Sequence, residues 1–522
     1  MRRPEPPRWV RGPVAAALPG AVLAWVVAAA ALTPAHALRG VHSFTGTGYD
    51  DGVYLGASVR LLHGALPWLD HDLLHPPGIV WLGLPFAALG ELTDASTGLA
   101  AARVATVLVA GLNVLLAGAV VRSRGRLAVF VTATTFALMP TSYAATQTFL
   151  LEPYLVLFSL AGLALLTSGG EPVSGRRLVL AGAAVGVATA VKVFGVLVAL
   201  GVLLALLPRW RAVRGWSLGV VLGFAVLTLP LAVAAPGRFL HDVVLVQLRR
   251  DVDQGADLRD RLPVVLGLDA LPGGPAVGWA PWLLGGFVAL VALGVALDAR
   301  RGRLTRLHVV TVVTAAVTLA AMLQPRQFFD HYAYFLVALL VLPAGLAVAA
   351  VYDELADRVG ARRWPAAVVV VAALLLGAAW TLPGTIGRAR DYTATSADPG
   401  PLVRSLVPRG SCVATDLTTT LLVAGRLDGP RACDVPLDPY GLWFADNDFT
   451  SPHTATAYRP AFVERWRRWL DEADYAVLSV PYSNFVPWTP ELRAWFDAHY
   501  VLVGSEPATY VYLRLPVDRP AG

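Results

Sequence analysis

The chain has 522 residues, of which 56% are hydrophobic and only 15% charged, whereas about 25% of the residues in a soluble domain are charged. This composition excludes an ordinary soluble protein and indicates a polytopic membrane protein. The net charge of +6 does not indicate a nucleic-acid partner, because most arginines stand in short clusters between apolar runs, which is the pattern of cytoplasmic loops.

Eleven apolar runs are predicted to be transmembrane helices. The first, at residues 13–34, follows an arginine-rich tail and is too long for the apolar part of a signal peptide. If every run crosses once, the short-loop arginine clusters all lie on the side of the N-terminus. Only Arg249 and Arg250 depart from this pattern, in a long outer loop. We therefore predict a multi-pass cell-membrane protein with a cytoplasmic N-terminus. The other runs lie at residues 98–121, 127–139, 150–166, 178–191, 193–207, 216–235, 279–297, 309–323, 332–351 and 364–382.

A further apolar run at residues 76–92 is not counted as a span. Counting it would put the arginines at residues 122–126 outside and invert every later helix. Gly83 and Pro85 interrupt the run, as expected for a segment that does not cross. We predict an interfacial or re-entrant helix on the outer face.

The predicted domains are a transmembrane domain at residues 1–383 and a small extracytoplasmic α/β domain at residues 384–522. In the second region, residues 411–415 and 475–480 are predicted strands, residues 460–472 a helix, and residues 500–503 and 509–515 a hairpin. Cys412 and Cys433 are the only cysteines, and an exported pair indicates a disulfide. The alternative is two buried thiols.

The first outer loop has two features that could carry chemistry. Asp50 and Asp51 open a predicted helix, where capping and the helix dipole explain one acid well and the second less well. The segment at residues 68–78 is dense in His and Asp, but it also reads as a turn into the following helix. A divalent metal would suit these residue types, yet the spacing matches no familiar ligand set, so no metal or other cofactor is predicted.

Three later segments place polar residues at the outer boundary. Glu152 enters an apolar span, either for function or as an interfacial acid beside Pro153. Lys192 is the only lysine in the chain; a compact ammonium suits a phosphate, although a snorkelling anchor is the alternative. The segment at residues 324–332 combines Arg326 with aromatic residues, which also describes a simple aromatic belt.

Taken together, these residues resemble the GT-C glycosyltransferases that use lipid-linked sugars, among them the protein O-mannosyltransferases and the aminoarabinose transferases. The resemblance covers roughly residues 10–350 and rests on the order and sidedness of individually weak motifs. One departure is that the family often has Asp-Glu where this chain has Asp50-Asp51, so the identity of the base stays open between the two. The motifs are Asp50-Asp51 with Tyr54, His75-Pro76-Pro77, Glu152, the Gly182-x3-Gly186-x5-Lys192 pattern, and His331-Tyr332.

The resemblance implies a bundle of about eleven helices and an inverting transferase that moves a sugar from a polyprenyl-phosphate donor to a hydroxyl of a glycan, lipid or protein acceptor. Asp50 or Asp51 would be the general base, and Glu152 would orient the acceptor or assist the base. Lys192 and Arg326 would bind the donor phosphate. The remaining substrate-binding residues would be Tyr54, His75, His331 and Tyr332.

Two matters stay open at this point. The C-terminal domain would bind an acceptor glycan or simply cap the site, with Trp443, Phe444, Asp446 and Asp448 as candidate sugar-binding residues. The alternative function is a polytopic transporter or lipid-sugar flippase without transferase activity. That alternative predicts inverted repeats and charges at mid-membrane depth. The charged residues of interest collect at the outer boundary instead.

Overall fold

The computed structural model describes residues 48–516, apart from residues 140–144, 147, 168–174, 208, 252–257, 267, 269–275, 325–327, 360–397, 428–432 and 434. The predicted spans at residues 13–34 and 364–382, and the predicted domain boundary at residue 383, lie outside the described residues.

Each predicted span within the described residues overlaps a helix. In the part of the chain that the structure describes, four helices are long and apolar enough to cross a membrane by length and composition, at Ala95–Arg124, Trp210–Ala232, Gly278–Arg300 and Tyr332–Arg358. The other apolar helices are shorter. The helices up to residue 359 are α1 Tyr49–Leu62, α2 Gly78–Leu92, α3 Ala95–Val121, α4 Arg126–Leu138, α5 Leu151–Leu166, α6 Arg176–Val191, α7 Gly195–Leu206, α8 Trp210–Ala232, α9 Pro236–Leu240, α10 Val246–Arg249, α11 Leu258–Val265, α12 Ala276–Arg300, α13 Arg306–Met322 and α14 Tyr332–Val359.

The glycine pattern in α6 is explained by helix packing. A Cβ on Gly182 would come within 2.4 Å of the carbonyl oxygen of Trp216, and one on Gly186 within 2.2 Å of that of Val220. Helix α8 contributes Gly223 to the same contact, and a Cβ added to Gly223 would clash with the α6 backbone. Spacing of small residues by four lets two membrane helices approach closely. This pairing holds the end of α6, and therefore Lys192, in a fixed position.

Contacts made by the start of α5 show which helix ends lie on the same side of the bundle. Glu152 pairs with Lys192, the residue that follows α6. Tyr154 hydrogen-bonds to Thr106 in the first half of α3, with 3.2 Å between the hydroxyl oxygens. The start of α5, the end of α6 and the start of α3 therefore lie on one side.

Helix α2, which corresponds to the predicted non-crossing segment, has both ends on that side. Gly78 at its start lies against the backbone at Ala190, near the end of α6. Gly90 near its end approaches Ala95, where α3 begins. A helix whose two ends meet the same side of the bundle does not cross it, which fits the prediction from the arginine pattern.

Residues 398–516 contain a four-stranded sheet with the strand order β1-β2-β4-β3. Strands β1 and β2 are parallel, whereas β4 is antiparallel to both β2 and β3. The segments predicted as strands and as a hairpin are strands in the structure. A disulfide joins Cys412 to Cys433. The elements are α15 Gly400–Leu406, β1 Val413–Thr415, α16 Thr418–Ala424, α17 Pro439–Asp446, α18 Pro460–Glu472, β2 Tyr475–Leu478, α19 Pro490–His499, β3 Tyr500–Glu506 and β4 Thr509–Arg514.

Helix α16 packs directly on α1. A Cβ on Gly52 would come within 2.3 Å of the backbone nitrogen of Thr419, so this contact requires glycine. The Thr419 hydroxyl donates to the carbonyl of Gly48. Arg60, near the end of α1, donates to the carbonyl of Val435 over 2.9 Å. The C-terminal region therefore packs on the helix that contains Asp50 and Asp51.

Candidate active site

A cavity of about 460 Å³ lies where the C-terminal region meets the helical bundle. Its lining combines acids, histidines, one arginine and many aromatic rings. One part of the wall comes from α1, the His75 segment and the start of α14; the other comes from α17 and the loop that contains Phe485. The lining residues are Tyr49, Asp50, Val53, Tyr54, Leu74, His75, Arg250, Phe329, His331, Tyr332, Asp438, Tyr440, Gly441, Phe444, His453 and Phe485.

The two adjacent acids of α1 have different environments. Asp50 lines the cavity and accepts a long hydrogen bond of 3.4 Å from the Tyr54 hydroxyl. Asp51 points the other way and is fully buried. Its carboxylate pairs with Arg103, 2.6 Å from Nη2 and 2.8 Å from Nε, and accepts from Thr419. One acid therefore faces the cavity, and the other fastens α1 to α3 and to the C-terminal region.

The charges around Asp50 act in both directions. Burial raises the pKa of the Asp50 carboxyl, His331 and Lys192 act to lower it, and Glu152 and Asp51 act to raise it, so that the pKa stays above its usual value. His331 is itself buried, which disfavours its charged form, but Glu152, Asp330 and Asp50 outweigh burial and raise the pKa of His331 to about 9. At neutral pH the cavity therefore holds an imidazolium near Asp50.

Glu152 and Lys192 form a buried ion pair, with side chains 1% and 3% exposed. The Lys192 ammonium also lies 3.6 Å from the centre of the Tyr332 ring. Neither residue lines the cavity. His331 stands between the pair and the cavity, with its Nε2 3.9 Å from a Glu152 carboxylate oxygen. The charge on Lys192 thus compensates that of Glu152.

The other expected substrate-binding residues all line the cavity. Tyr54 and His75 meet edge to face, with 5.7 Å between ring centres. Burial, together with the charges of Lys192 and Arg250, holds the pKa of His75 well below its usual range, so its ring is neutral at pH 7. His331 and Tyr332 form the wall at the start of α14. Arg326, the second expected phosphate ligand, lies outside the described residues.

A second cavity of about 530 Å³ lies beside the first and is mostly apolar. Arg250 lines both cavities, is 8% exposed, and donates to the Tyr332 hydroxyl over 3.3 Å. The second cavity also contains Arg261 and is otherwise walled by side chains from α7, α8, the segment at residues 239–248 and the end of α13. Its apolar lining includes Val193, Phe194, Val196, Leu197, Phe224, Phe239, Val243, Val244, Leu248, Ala321, Met322 and Phe328.

Among the cavity residues that were not expected from the sequence are an arginine and an aspartate, Arg250 and Asp438. Arg250 had a signal, because it stands in the one arginine pair that departs from the positive-inside pattern. Asp438 had none, because Asp before Pro439 is an ordinary helix start, and it does cap α17 by accepting from the Gly441 amide. Burial raises the pKa of Asp438 to about 6, and Tyr49 donates to it over 2.7 Å.

The candidate sugar-binding residues of the C-terminal region do not form a surface patch. Trp443 and Phe444 are each 1% exposed, because they pack inside the region. Asp446 is tied to Arg238 and Arg465 at the junction with the bundle. Among the residues that the structure describes, no group of three or more His, Cys, Asp or Glu side chains could hold a metal ion.

A network of charges holds the segment that carries Arg250. Arg238 in α9 pairs with Asp72 over 2.6 Å, with Asp242 over 2.9 Å and with Asp446 over 3.1 Å. Arg465 in α18 reaches both Asp446 and Asp72. The network joins the segment of Asp72 and the segment of Arg238 to the C-terminal region, so these three parts of the chain are held together beside the cavity.

A family model described as Glycosyltransferase family 87 matches residues 73–325, just under half of the chain. A search of curated proteins by sequence finds no match. Among solved structures, ArnT from Cupriavidus metallidurans bound to undecaprenyl phosphate is similar, with a TM-score of 0.61 and 18% identity over 95% of this chain and 98% of that chain. The Archaeoglobus fulgidus oligosaccharyltransferase tethered with an acceptor peptide has a TM-score of 0.55 and 14% identity, over 95% of this chain and 75% of that one.

A further structure, AglB from Archaeoglobus fulgidus in complex with an inhibitory peptide and a dolichol-phosphate, has a TM-score of 0.51 and 14% identity, over 96% of this chain and 75% of that chain. At these identities the likeness is one of fold. The fold and the family match together confirm the resemblance to GT-C transferases. The chain is a membrane glycosyltransferase.

Proposed function

We propose that the chain is an inverting transferase that moves a sugar from a polyprenyl-phosphate donor to an acceptor hydroxyl at the outer face of the membrane. The observation that carries the proposal is the pair of adjoining cavities that share Arg250. One cavity combines ionisable side chains, including a carboxyl group, with aromatic rings, and the other is mostly apolar. A sugar on a lipid phosphate has matching parts: a polar sugar, an anionic phosphate and an apolar tail.

Asp50 is the general base. Its carboxylate takes the proton of the acceptor hydroxyl while the hydroxyl oxygen attacks the anomeric carbon, and the bond from that carbon to the phosphate oxygen breaks. A single displacement of this kind inverts the anomeric centre. Asp51 is not suited to the role, because Arg103 and Thr419 occupy its carboxylate. We therefore propose Asp50, and not Asp51, as the base.

The leaving phosphate gains charge as the bond breaks, so a cation beside it lowers the barrier. Arg250 meets this need because it stands at the junction of the two cavities and, among the described residues, pairs with no carboxylate. It takes over the role first expected of Lys192. The apolar cavity then receives the beginning of the polyprenyl chain. ArnT, the similar structure bound to undecaprenyl phosphate, supports a lipid phosphate as the ligand.

Glu152, Lys192 and His331 support the base rather than contact the acceptor. Lys192 compensates the buried charge of Glu152, and Glu152 in turn favours the imidazolium form of His331. The positive charge of His331 then acts to lower the pKa of the Asp50 carboxyl, against the effect of burial. Asp50 needs to be anionic at neutral pH, because only the carboxylate form accepts a proton.

The proposed setting is the cell membrane, with the N-terminus cytoplasmic and both cavities on the outer side. The acceptor, which is a glycan, a lipid or a protein, enters the cavity that Asp50 lines from the C-terminal side, where Tyr440, His453 and Phe485 form the wall. The C-terminal region at residues 384–522 therefore contributes to the acceptor site as well as covering it.

The test uses the full chain in lipid nanodiscs with radiolabelled polyprenyl-phosphate mannose and polyprenyl-phosphate arabinose as donors. Membranes from a strain that lacks the gene supply the acceptor. The expected result is transfer of label from one donor to membrane material, with release of polyprenyl phosphate. Movement of intact donor across a vesicle membrane without transfer would instead identify a flippase.

A further inference from the structure

Arg261 is a buried cation that has no role in the proposed mechanism. It lies in α11 and lines the apolar cavity, and it is 7% exposed. Its guanidinium carbon stands 5.7 Å from the centre of the Phe328 ring. The Nε atom is buried with no hydrogen-bond partner, and no residue within the described ranges forms an ion pair with the group.

A guanidinium in this position requires an anion. An uncompensated charge away from water is costly, and buried arginines are normally paired. Burial lowers the pKa of Arg261, yet a guanidinium stays protonated in proteins, so the charge is not lost. The same cavity contains Arg250. Two arginines that have no carboxylate partner among the described residues therefore line one apolar cavity, which suits an amphiphile with an anionic group.

We propose that Arg261 is a second phosphate-binding residue, which binds the polyprenyl-phosphate product in preference to the donor and so draws the spent lipid away from the site of transfer. This inference rests on the proposed function. Arg250 binds the phosphate during transfer, and Arg261 binds it afterwards, further into the apolar cavity. The residue thereby acts on product release and not on the transfer itself.

The phosphate becomes more negative during the reaction, and this change is the reason why Arg261 would bind the product in preference to the donor. The donor is a phosphodiester with one negative charge. When the acceptor oxygen bonds to the anomeric carbon, the electron pair of the broken bond stays on the phosphate oxygen, and the acceptor proton goes to Asp50. The product is a phosphomonoester, which carries up to two negative charges at neutral pH because its second pKa is about 6. Two arginines match the product better than the donor.

The experiment compares two probes that differ only in this charge, undecaprenyl phosphate and its methyl phosphodiester. Their affinities for the full chain in nanodiscs are measured at neutral pH. Arg261→Gln is expected to weaken binding of undecaprenyl phosphate by about tenfold and binding of the diester by less than about threefold. Arg259→Gln is the matched control, because Arg259 lies on the same helix and is exposed; it is expected to change neither affinity.

Equal weakening of both probes by Arg261→Gln, or no weakening of either, overturns the inference. Failure of the wild-type chain to bind undecaprenyl phosphate would instead overturn the proposed function, so the two failures are distinguishable. Arg261→Lys keeps the positive charge and is expected to keep the preference for the monoester even if the glutamine variant does not fold. Loss of the preference in a folded lysine variant also overturns the inference.

Discussion

Lys192 forms a buried ion pair with Glu152 at the point where α6 ends and α5 begins, and its ammonium lies over the ring of Tyr332. The only lysine of the chain is thereby committed to a buried acid. This relationship gives Lys192 a reason to be a lysine, since the compact ammonium fits between a carboxylate and an aromatic face. It is also the reason why we propose the arginines nearby, and not Lys192, as the residues that bind the phosphate.

Lys192→Met is expected to destabilise the protein by about 3–5 kcal/mol, because it leaves the charge of Glu152 buried without a partner. The midpoint of thermal unfolding of the purified protein in detergent measures the effect. Adding Glu152→Gln to the same chain removes the stranded charge and is expected to restore most of the loss. A Lys192→Met variant that is as stable as wild type would show that Lys192 is not needed to compensate the charge of Glu152.

Arg250→Gln is expected to reduce kcat/KM for the lipid-phosphate donor by about tenfold to a hundredfold, because a hydrogen-bonded charge at the phosphate is lost. Its neighbour in sequence provides the control. Arg249 is exposed and lines neither cavity. Its guanidinium carbon lies 5.8 Å from the centre of the Phe449 ring. Equal losses in Arg250→Gln and Arg249→Gln would contradict the assignment of the phosphate to Arg250.

His331 makes stability depend on pH in a defined direction. Although burial opposes its charged form, neighbouring carboxylates raise the pKa of His331 from 6.5 to about 9. The stabilisation from the charged ring is therefore fully present below pH 6.5 and is lost as the pH rises toward about 9. The difference in unfolding midpoint between wild type and His331→Gln should favour wild type at low pH and shrink in this window. A difference that does not vary with pH would argue against a charged His331.

Much of the helical bundle could be predicted because hydropathy and arginine placement act over long stretches of chain. Helices α3, α8, α12 and α14 overlap predicted spans, and the ends of α2 fit a segment that does not cross. The strands around residues 413–415 and 475–478 also lie where apolar runs predicted them. These features depend on local pattern, which a sequence shows directly.

The different environments of the two acids of α1 could not be predicted. Asp50 and Asp51 are adjacent in a helix, and only the position of Arg103 and Thr419, far away in the chain, decides which one is free to face the cavity. Asp438 was missed for a similar reason, because the packing of α17 against Tyr49 brings it to the cavity. Contacts between distant segments carry this information, and spacing along the chain does not.

The most direct test of the account compares Asp50→Asn with Asp51→Asn in transfer from the lipid-linked donor, with each activity expressed per folded molecule. Asp50→Asn is expected to fold normally and to lose about 10²–10⁴-fold in kcat, the contribution of a general base. Asp51→Asn strands the charge of Arg103 and is expected to cost about 3–5 kcal/mol of stability. Its folded fraction should keep kcat within about tenfold of wild type, well short of the loss of a base. Retained transfer by Asp50→Asn, with activity lost in folded Asp51→Asn, would contradict the account.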